Sequence, residues 1–219
     1  TDVGTGAYTA TTWRAALMGS AVIFTDYSDA LQIFDLRSST TFTALDTSVP
    51  RGKHVAVVAN FLMLGDTQDT DGVHNQRVHW SAIEDPGTWP LIGTDAAVQL
   101  QSDAQDLLGD GGSVTGIASA LSSADAIVFQ ERALWRCVYV GSPIVFQFDR
   151  IAVDHGLPYP DAFVSHNGIV YYWSQRGFFA SDGAQSQPIG AAPGQEVSWV
   201  DKYFARTATP SSIRAAVDP

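Results

Sequence analysis

The stretch Asp161–Gly190, DAFVSHNGIVYYWSQRGFFASDGAQSQPIG, decides the fold. Asn167-Gly168 is the strongest short hairpin signal in it, because a type I′ turn requires positive φ at both central residues. The flanks, Phe163–His166 and Ile169–Trp173, are rich in β-branched and aromatic residues. Gly177 opens a further strand, FFAS, and Asp182-Gly183 turns into a short fourth, QSQPI. Four strands in roughly thirty residues is the size of one propeller blade.

The same unit is readable upstream. SVTGI, AIVFQ, ALWRCVYV and IVFQFDRI form a second group between Ser113 and Ile151, with Glu131-Arg132 as a tight link. HVAVVA, FLMLGD, RVHWSAI and AAVQLQ form a third between His54 and Gln101. RAALM, AVIFTD, ALQIFDL and TFTAL form a fourth between Arg14 and Leu45. The apolar second strands begin near Val22, Phe61, Ile127 and Val170, a period of about 40 residues once longer loops are allowed for. The expectation is an all-β chain of propeller-like, four-stranded antiparallel blades, with a β-sandwich as the competing architecture. After GAAPGQEVSW the pattern changes, and Pro210 followed by SSIRAAV predicts a short C-terminal helix. Residues 1–195 therefore read as the propeller-like domain, and 196–219 as a connecting segment with a short helix.

Composition narrows the function classes. Apolar residues make up 45% and charged residues 16% of the 219, enough to build a core and below the roughly 25% charge of typical domains. The formal charge of −11 opposes affinity for phosphate backbones and anionic membranes. No uncharged apolar run approaches the ~18 residues of a membrane helix. Cys137, the single cysteine, excludes an internal disulfide and a cysteine-based zinc cluster, and its neighbours predict a buried, inert thiol. The opening residues, TDVGTGAYTATTWRAAL, lack a signal-peptide pattern and an initiator Met, so a processed or truncated start is expected.

The most suggestive polar stretch is LGDTQDTDGVHNQRVHWSAIEDPGTW, Leu64–Trp89. With Gly72 at position 6 of a D-x-[DN]-x-[DN]-G calcium loop, Thr67, Asp69 and Asp71 occupy the ligand positions and Asn75 position 9. Val78 then stands where an EF-hand needs a bidentate Glu, and no helices flank the stretch. The plain alternative is an acidic hairpin tip between FLMLGD and RVHWSAI. SAIEDPGTW is not an Asp-box, because Trp89 arrives one residue early; Asp85-Pro86-Gly87 reads as a turn, with Trp89 folding back on the sheet.

Other candidates are weaker. His54, His74, His79, His155 and His166 form no H-E-x-x-H, and His74 and His79 are not expected to share a face. No G-x-S-x-G or P-loop is present, and GDGGS, Gly109–Ser113, reads as a flexible connection. Loop carboxylates Asp103, Asp106, Asp110, Asp125, Asp149 and Asp154 permit a glycosidase pair without singling one out. Trp80, Trp89, Trp135 and Trp173 read as packing between sheets. The residues themselves nominate no catalytic, cofactor or metal site, and they leave a structural protein, a propeller glycosidase and a calcium-dependent binding module all open.

Taken in order, NQRVHWSAIEDPGTWP, DAQDLLGDGGSVTGI, AIVFQERALWRCVYVGSPIVFQFDRI, NGIVYYWSQRGFFASDGAQSQPIG and the closing VDKYF…IRAAVDP resemble the tail accessory, hub or nozzle proteins of short-tailed bacteriophages, often termed stabilisation proteins. The resemblance runs from about Ala21 to Pro219; WSAIEDPGTW and DGAQSQPIG are its most telling pieces. It implies a non-enzymatic virion protein, assembled in the host cytoplasm as a ring of identical copies below the portal. It also implies contacts with portal or adaptor and with tail fibres or spikes, DNA passing without specific binding, no cofactor and no membrane insertion. Measured against the family pattern the chain is short at both ends, so it is expected to be part of a longer polypeptide. The loops Asp66–Asn75 and Glu84–Thr94 are the expected contact loops.

Overall fold

The computed structural model describes residues 8, 12–46, 48–122, 125–190, 201, 202, 204, 206, 209 and 213–217. Two compact units emerge, 1–107 with 140–145, and 108–139 with 146–219.

In the first unit, β1 (Arg14–Met18), β2 (Ala21–Thr25), β3 (Gln32–Asp35) and β4 (Thr43–Ala44) form one antiparallel meander. A second comprises β5 (Arg51–Val58), β6 (Phe61–Asp69), β7 (Gly72–Trp80) and β8 (Asp103–Asp106). Strand β5 alternates between buried and more exposed positions, the pattern of a sheet with one covered face. Strand β6 does not alternate, and Phe61 to Thr67 are all buried, because both of its faces are covered. Ile23, Leu31, Val49, Leu62 and Leu64 form the core of this unit, with Val55, Val57 and Trp89 packed against them.

The second unit repeats the plan. Its strands are β9 (Val114–Ser119), β10 (Ala126–Gln130), β11 (Leu134–Gly141), β12 (Val145–Ala152), β13 (Phe163–His166), β14 (Ile169–Ser174), β15 (Gly177–Ser181) and β16 (Ser186–Pro188). They form two further four-stranded antiparallel meanders, β9–β12 and β13–β16. Asn167 (φ 49°) and Gly168 (φ 77°) make the turn between β13 and β14, as the Asn-Gly pair demands. Ile127, Phe129, Leu134, Leu157, Val170 and Tyr172 lie in its core. The chain is thus all-β, built from four propeller-like blades of consecutive strands, and the strand groups match those expected in all but one place.

That place is the fourth strand of the second meander. AAVQLQ was expected to be a strand, but Asp95–Leu100 is a helix, α1. Thr94 caps it, its Oγ1 accepting from Ala97 N at 3.3 Å, and Gln101 closes it in the left-handed conformation (φ 59°). The edge strand is instead the polar DAQD of β8, with Arg77 opposite Asp106 and Trp80 opposite Asp103. The C-terminal helix also shifts. Asp201, Lys202, Phe204 and Arg206 are helical, whereas Ile213–Val217 are not. Pro210, Ser211 and Ser212, where the helix was expected to begin, lie outside the described residues. The Asp201 carboxylate accepts from Phe178 N at 2.9 Å, and Phe204 packs against Trp173 and Phe178; those contacts favour the earlier position.

Candidate functional site

The Leu64–Trp89 stretch folds into a hairpin and the connection that follows it. Asp69 is paired with Gly72 across the turn between β6 and β7, yet its Oδ1 lies 3.2 Å from His79 Nδ1. Seven residues of straight strand would place Gly72 and His79 about 23 Å apart, so the hairpin must bend back on itself. The bend sits where the register shifts between Gly65 and Thr67. There Asp66 takes a left-handed φ of 53° and stands opposite Asn75, Gln76 and Arg77, a bulge that sharpens local twist. Asp66 is itself buried, and its carboxylate accepts from Lys53 Nζ at 2.8 Å.

Arg77 fastens the folded-back tip. Its Nε and Nη2 donate to Asp106 at 2.7 and 3.2 Å, and its Nη1 donates to Asp69 at 3.0 Å and Asp71 at 3.4 Å. His74 Nε2 adds a 3.0 Å contact to Asp71. Against expectation, His74 and His79 therefore converge on one carboxylate cluster, because the bulge changes which side chains share a face. Burial raises the Asp69 carboxyl, but its hydrogen bonds with His79 and Arg77 outweigh this and hold it below the usual range. The His74 contact does the same for Asp71. Asp106 first, and Asp69 with it, hold the Arg77 guanidinium above its ordinary value.

Asp69, Asp71 and His74 bring one ligand atom each within 4.8 Å of one another. Of the predicted calcium ligands, Thr67 is buried, its Oγ1 3.3 Å from Asp69. The cationic position between Asp69 and Asp71 is filled by the Arg77 guanidinium. Part of the charge of the acidic motif is thus met by an arginine of the same hairpin. Of the expected contact loop Asp66–Asn75, Asp66 and Thr67 are buried and the Asp69 side chain largely so, while Gln68, Thr70, Asp71, Val73 and Asn75 are exposed.

The following connection is shaped by Asp85. It accepts from Gly87 N at 2.9 Å and Thr88 Oγ1 at 2.7 Å, the Asx turn that Asp-Pro-Gly predicts. Trp89 donates to Pro86 O at 2.8 Å and meets the His79 ring edge-on, folding back as expected. The expected contact loop Glu84–Thr94 carries exposed Leu91 and Ile92, and what the sequence reading missed is that the apolar exposure continues into α1. Ile83, Leu91, Ile92, Val98 and Leu100 are all exposed, Leu91 by 71%, and α1 buries Ala97 alone. Four large apolar residues beside the Thr94 cap signal, at positions 91, 92, 98 and 100, could have marked this segment.

The remaining candidates have local structural partners. Asp110 binds Arg150 at 2.6 Å, Asp125 accepts from Tyr139 N at 2.7 Å, Asp103 from Ala104 N at 2.8 Å, and Asp149 from Gln147 at 3.1 Å. Asp154 pairs with His155 at 2.7 Å and with Arg176. Asp110, paired with Arg150, and Asp154, paired with His155, are held low, the wrong direction for a glycosidase's general acid. GDGGS is packed down rather than loose, with Arg132 N donating to Gly111 O at 2.9 Å. A side chain at Gly111 would stand 2.0 Å from Gln130. His166 is exposed. Trp80 and Trp173 are buried, and Trp135 donates to Gln130 at 2.7 Å. The Cys137 thiol is buried and pushed upward by that burial, which makes it unreactive. No helix among the described residues is long and apolar enough to cross a membrane.

No family model and no curated protein matches the chain. Among solved structures, it is similar to the extracellular domain of BT4673 from B. thetaiotaomicron, at 13% identity and a TM-score of 0.47 over 83% of this chain and 22% of that one. It is also similar to the dihydro-heme d1 dehydrogenase NirN in complex with DHE, at 18% identity and a TM-score of 0.48 over 83% and 37%. The chain thus spans about a fifth and somewhat over a third of the lengths of these two proteins, and neither likeness extends to an activity.

Proposed function

We propose that this chain is a structural subunit that acts through protein–protein contacts, as part of a ring in a bacteriophage tail hub or nozzle. The observation that carries this reading is the exposed apolar connection between β7 and β8. Leu91, Ile92, Val98 and Leu100 face solvent after a hairpin in which Asp69, Asp71, His74 and Arg77 bind one another, and a patch of this kind marks an interaction surface. The ordered resemblance to tail proteins names the assembly. The stretches that carry it span β8, β10, β11, β14, β15 and β16 whole and β7, β9 and β12 in part. A net charge of −11 suits a conduit wall that repels DNA and lets it slide. In this role the chain has no catalytic residues; it contacts copies of itself, portal or adaptor, and fibre or spike, and it resides in the virion.

The test is immunogold electron microscopy of purified phage particles, with antibody against this chain, joined to mass spectrometry of the same preparation. Label at the tail supports the reading. Absence by both methods overturns it and makes a carbohydrate-active propeller the reading to pursue, by hydrolysis assays on glycan panels.

A further inference from the structure

The partner surface can be given a chemistry. We infer that the segment Ile83–Leu100 docks a protein segment whose apolar side chains are flanked by Lys or Arg, and that it does not pair with a second copy of itself; this rests on the reading that the chain works by protein contacts.

The segment is built to hold its apolar side chains outward. Ile83 N donates to Leu100 O at 3.3 Å, Thr94 N to Leu91 O at 3.3 Å, and Val98 N to Thr94 O at 3.1 Å. Those bonds tie the two ends of the connection to α1. Thr94 caps the helix and Ala97 anchors it, so neither Val98 (53% exposed) nor Leu91 (71%) is needed to hold it in place. A six-residue helix is marginal by itself. Here its anchoring leaves large apolar groups in water that a partner can cover.

Charge selects the partner. Between Ser81 and Asp106 the sequence carries Glu84, Asp85, Asp95, Asp103 and Asp106, and no Lys or Arg. Arg77 neutralises Asp106 from the neighbouring strand, while Glu84, Asp85 and Asp95 are exposed. An identical segment would bring like charges against these, and so would nucleic acid or an anionic membrane. Lys or Arg around an apolar anchor complements both features, giving a charge-steered contact with an apolar centre.

The experiment uses the whole chain and a fluorescein-labelled leucine–lysine peptide patterned as an amphipathic helix, read by fluorescence anisotropy. Binding should weaken as salt rises from about 50 to 300 mM. It should fall about tenfold or more in L91S/V98S, which leaves every charge in place, so that unspecific attraction to an acidic protein would be unaffected. The control L36S/V73S removes exposed apolar groups elsewhere and should bind as the parent does. Four results would each overturn the proposal: no binding, equal binding by L91S/V98S, an equal loss in L36S/V73S, or equal affinity for a leucine–glutamate peptide. A dimer seen by sedimentation velocity in the parent and lost in L91S/V98S would assign the surface to a second copy instead. The wider functional reading fails by a different observation, absence from particles, so the two failures stay distinct.

Discussion

Arg77 and Asp106 stand directly opposite each other on β7 and β8, and the guanidinium grips the carboxylate with two nitrogens, at 2.7 and 3.2 Å. The third nitrogen reaches the folded-back tip through Asp69. One side chain thus joins the edge strand to the bent hairpin, and the Asp69 side chain is only 7% exposed. Replacing Arg77 by Met should cost about 2–4 kcal/mol, because it strands a largely buried carboxylate. R77K should fall between, since a lysine cannot reproduce the fork. D106N should cost about 1 kcal/mol or less, as Asp106 is itself more exposed than Asp69. Urea midpoints order the three variants; an unchanged midpoint in R77M would remove the tip from the list of stabilising contacts.

The same guanidinium makes a prediction about metal. With Arg77 between Asp69 and Asp71, calcium would have to displace a cation already held by several hydrogen bonds. The melting temperature should therefore be the same in EGTA and in millimolar calcium. A calcium-dependent rise of several degrees would show that the acidic motif is a binding site after all.

How far these features were legible depends on how local their causes are. The hairpin at Asn167-Gly168 and the buried strands β6 and β10 follow from turn chemistry and apolar runs, which act over a few residues. The helix α1 did not stand out, because its apolar residues are crowded rather than spaced at helical period and its cap is one Thr. The Arg77 cluster was out of reach for a different reason. It depends on the bulge at Asp66, a register event that moves residues ten positions apart, Asp69 and His79, onto one face. Acidic spacing alone therefore resembled a calcium loop, although an arginine from the returning strand fills it.

His54 on β5 gives a stability prediction with a definite sign. It is 4% exposed, and burial, reinforced by the charges of Arg14 and Lys53, pushes its pKa from 6.5 down to about 3. The folded protein holds it neutral, while the unfolded chain protonates it below about 6.5. Stability should be level above pH 7 and decline as pH falls, by roughly 2–3 kcal/mol at about pH 4.5. Asp69 and Asp71 act in a lower window: their contribution is present above 3.8 and lost as pH falls through their lowered folded values. H54L should therefore flatten the profile between about pH 6.5 and 4.5. Urea unfolding at several pH values measures this, and an unchanged slope in H54L would exclude the histidine as its source.

The last prediction concerns backbone crowding beside the β10–β11 turn. A Cβ added at Gly156 would lie 2.2 Å from Gln130 O and 2.6 Å from both Arg132 N and Ala133 N. These are backbone atoms held by Leu157 N donating to Gln130 O and by Gln130 N donating to Ala133 O, both at 2.9 Å, so they have no rotamer by which to escape. Leu157 next door is fully buried in the core of its unit, so a shift of the backbone would also disturb packing. G156A should cost about 3 kcal/mol or more, among the larger single-site effects. G87A is the matched control, since its nearest neighbour is a side-chain oxygen of Asp85 at 3.4 Å, and it should stay within about 0.5 kcal/mol of the parent. Thermal and urea unfolding of both variants give the comparison. Equal stability would mean that the segment around Gly156 can move away from the turn, and the tight approach to β10 would then not be a constraint on the fold.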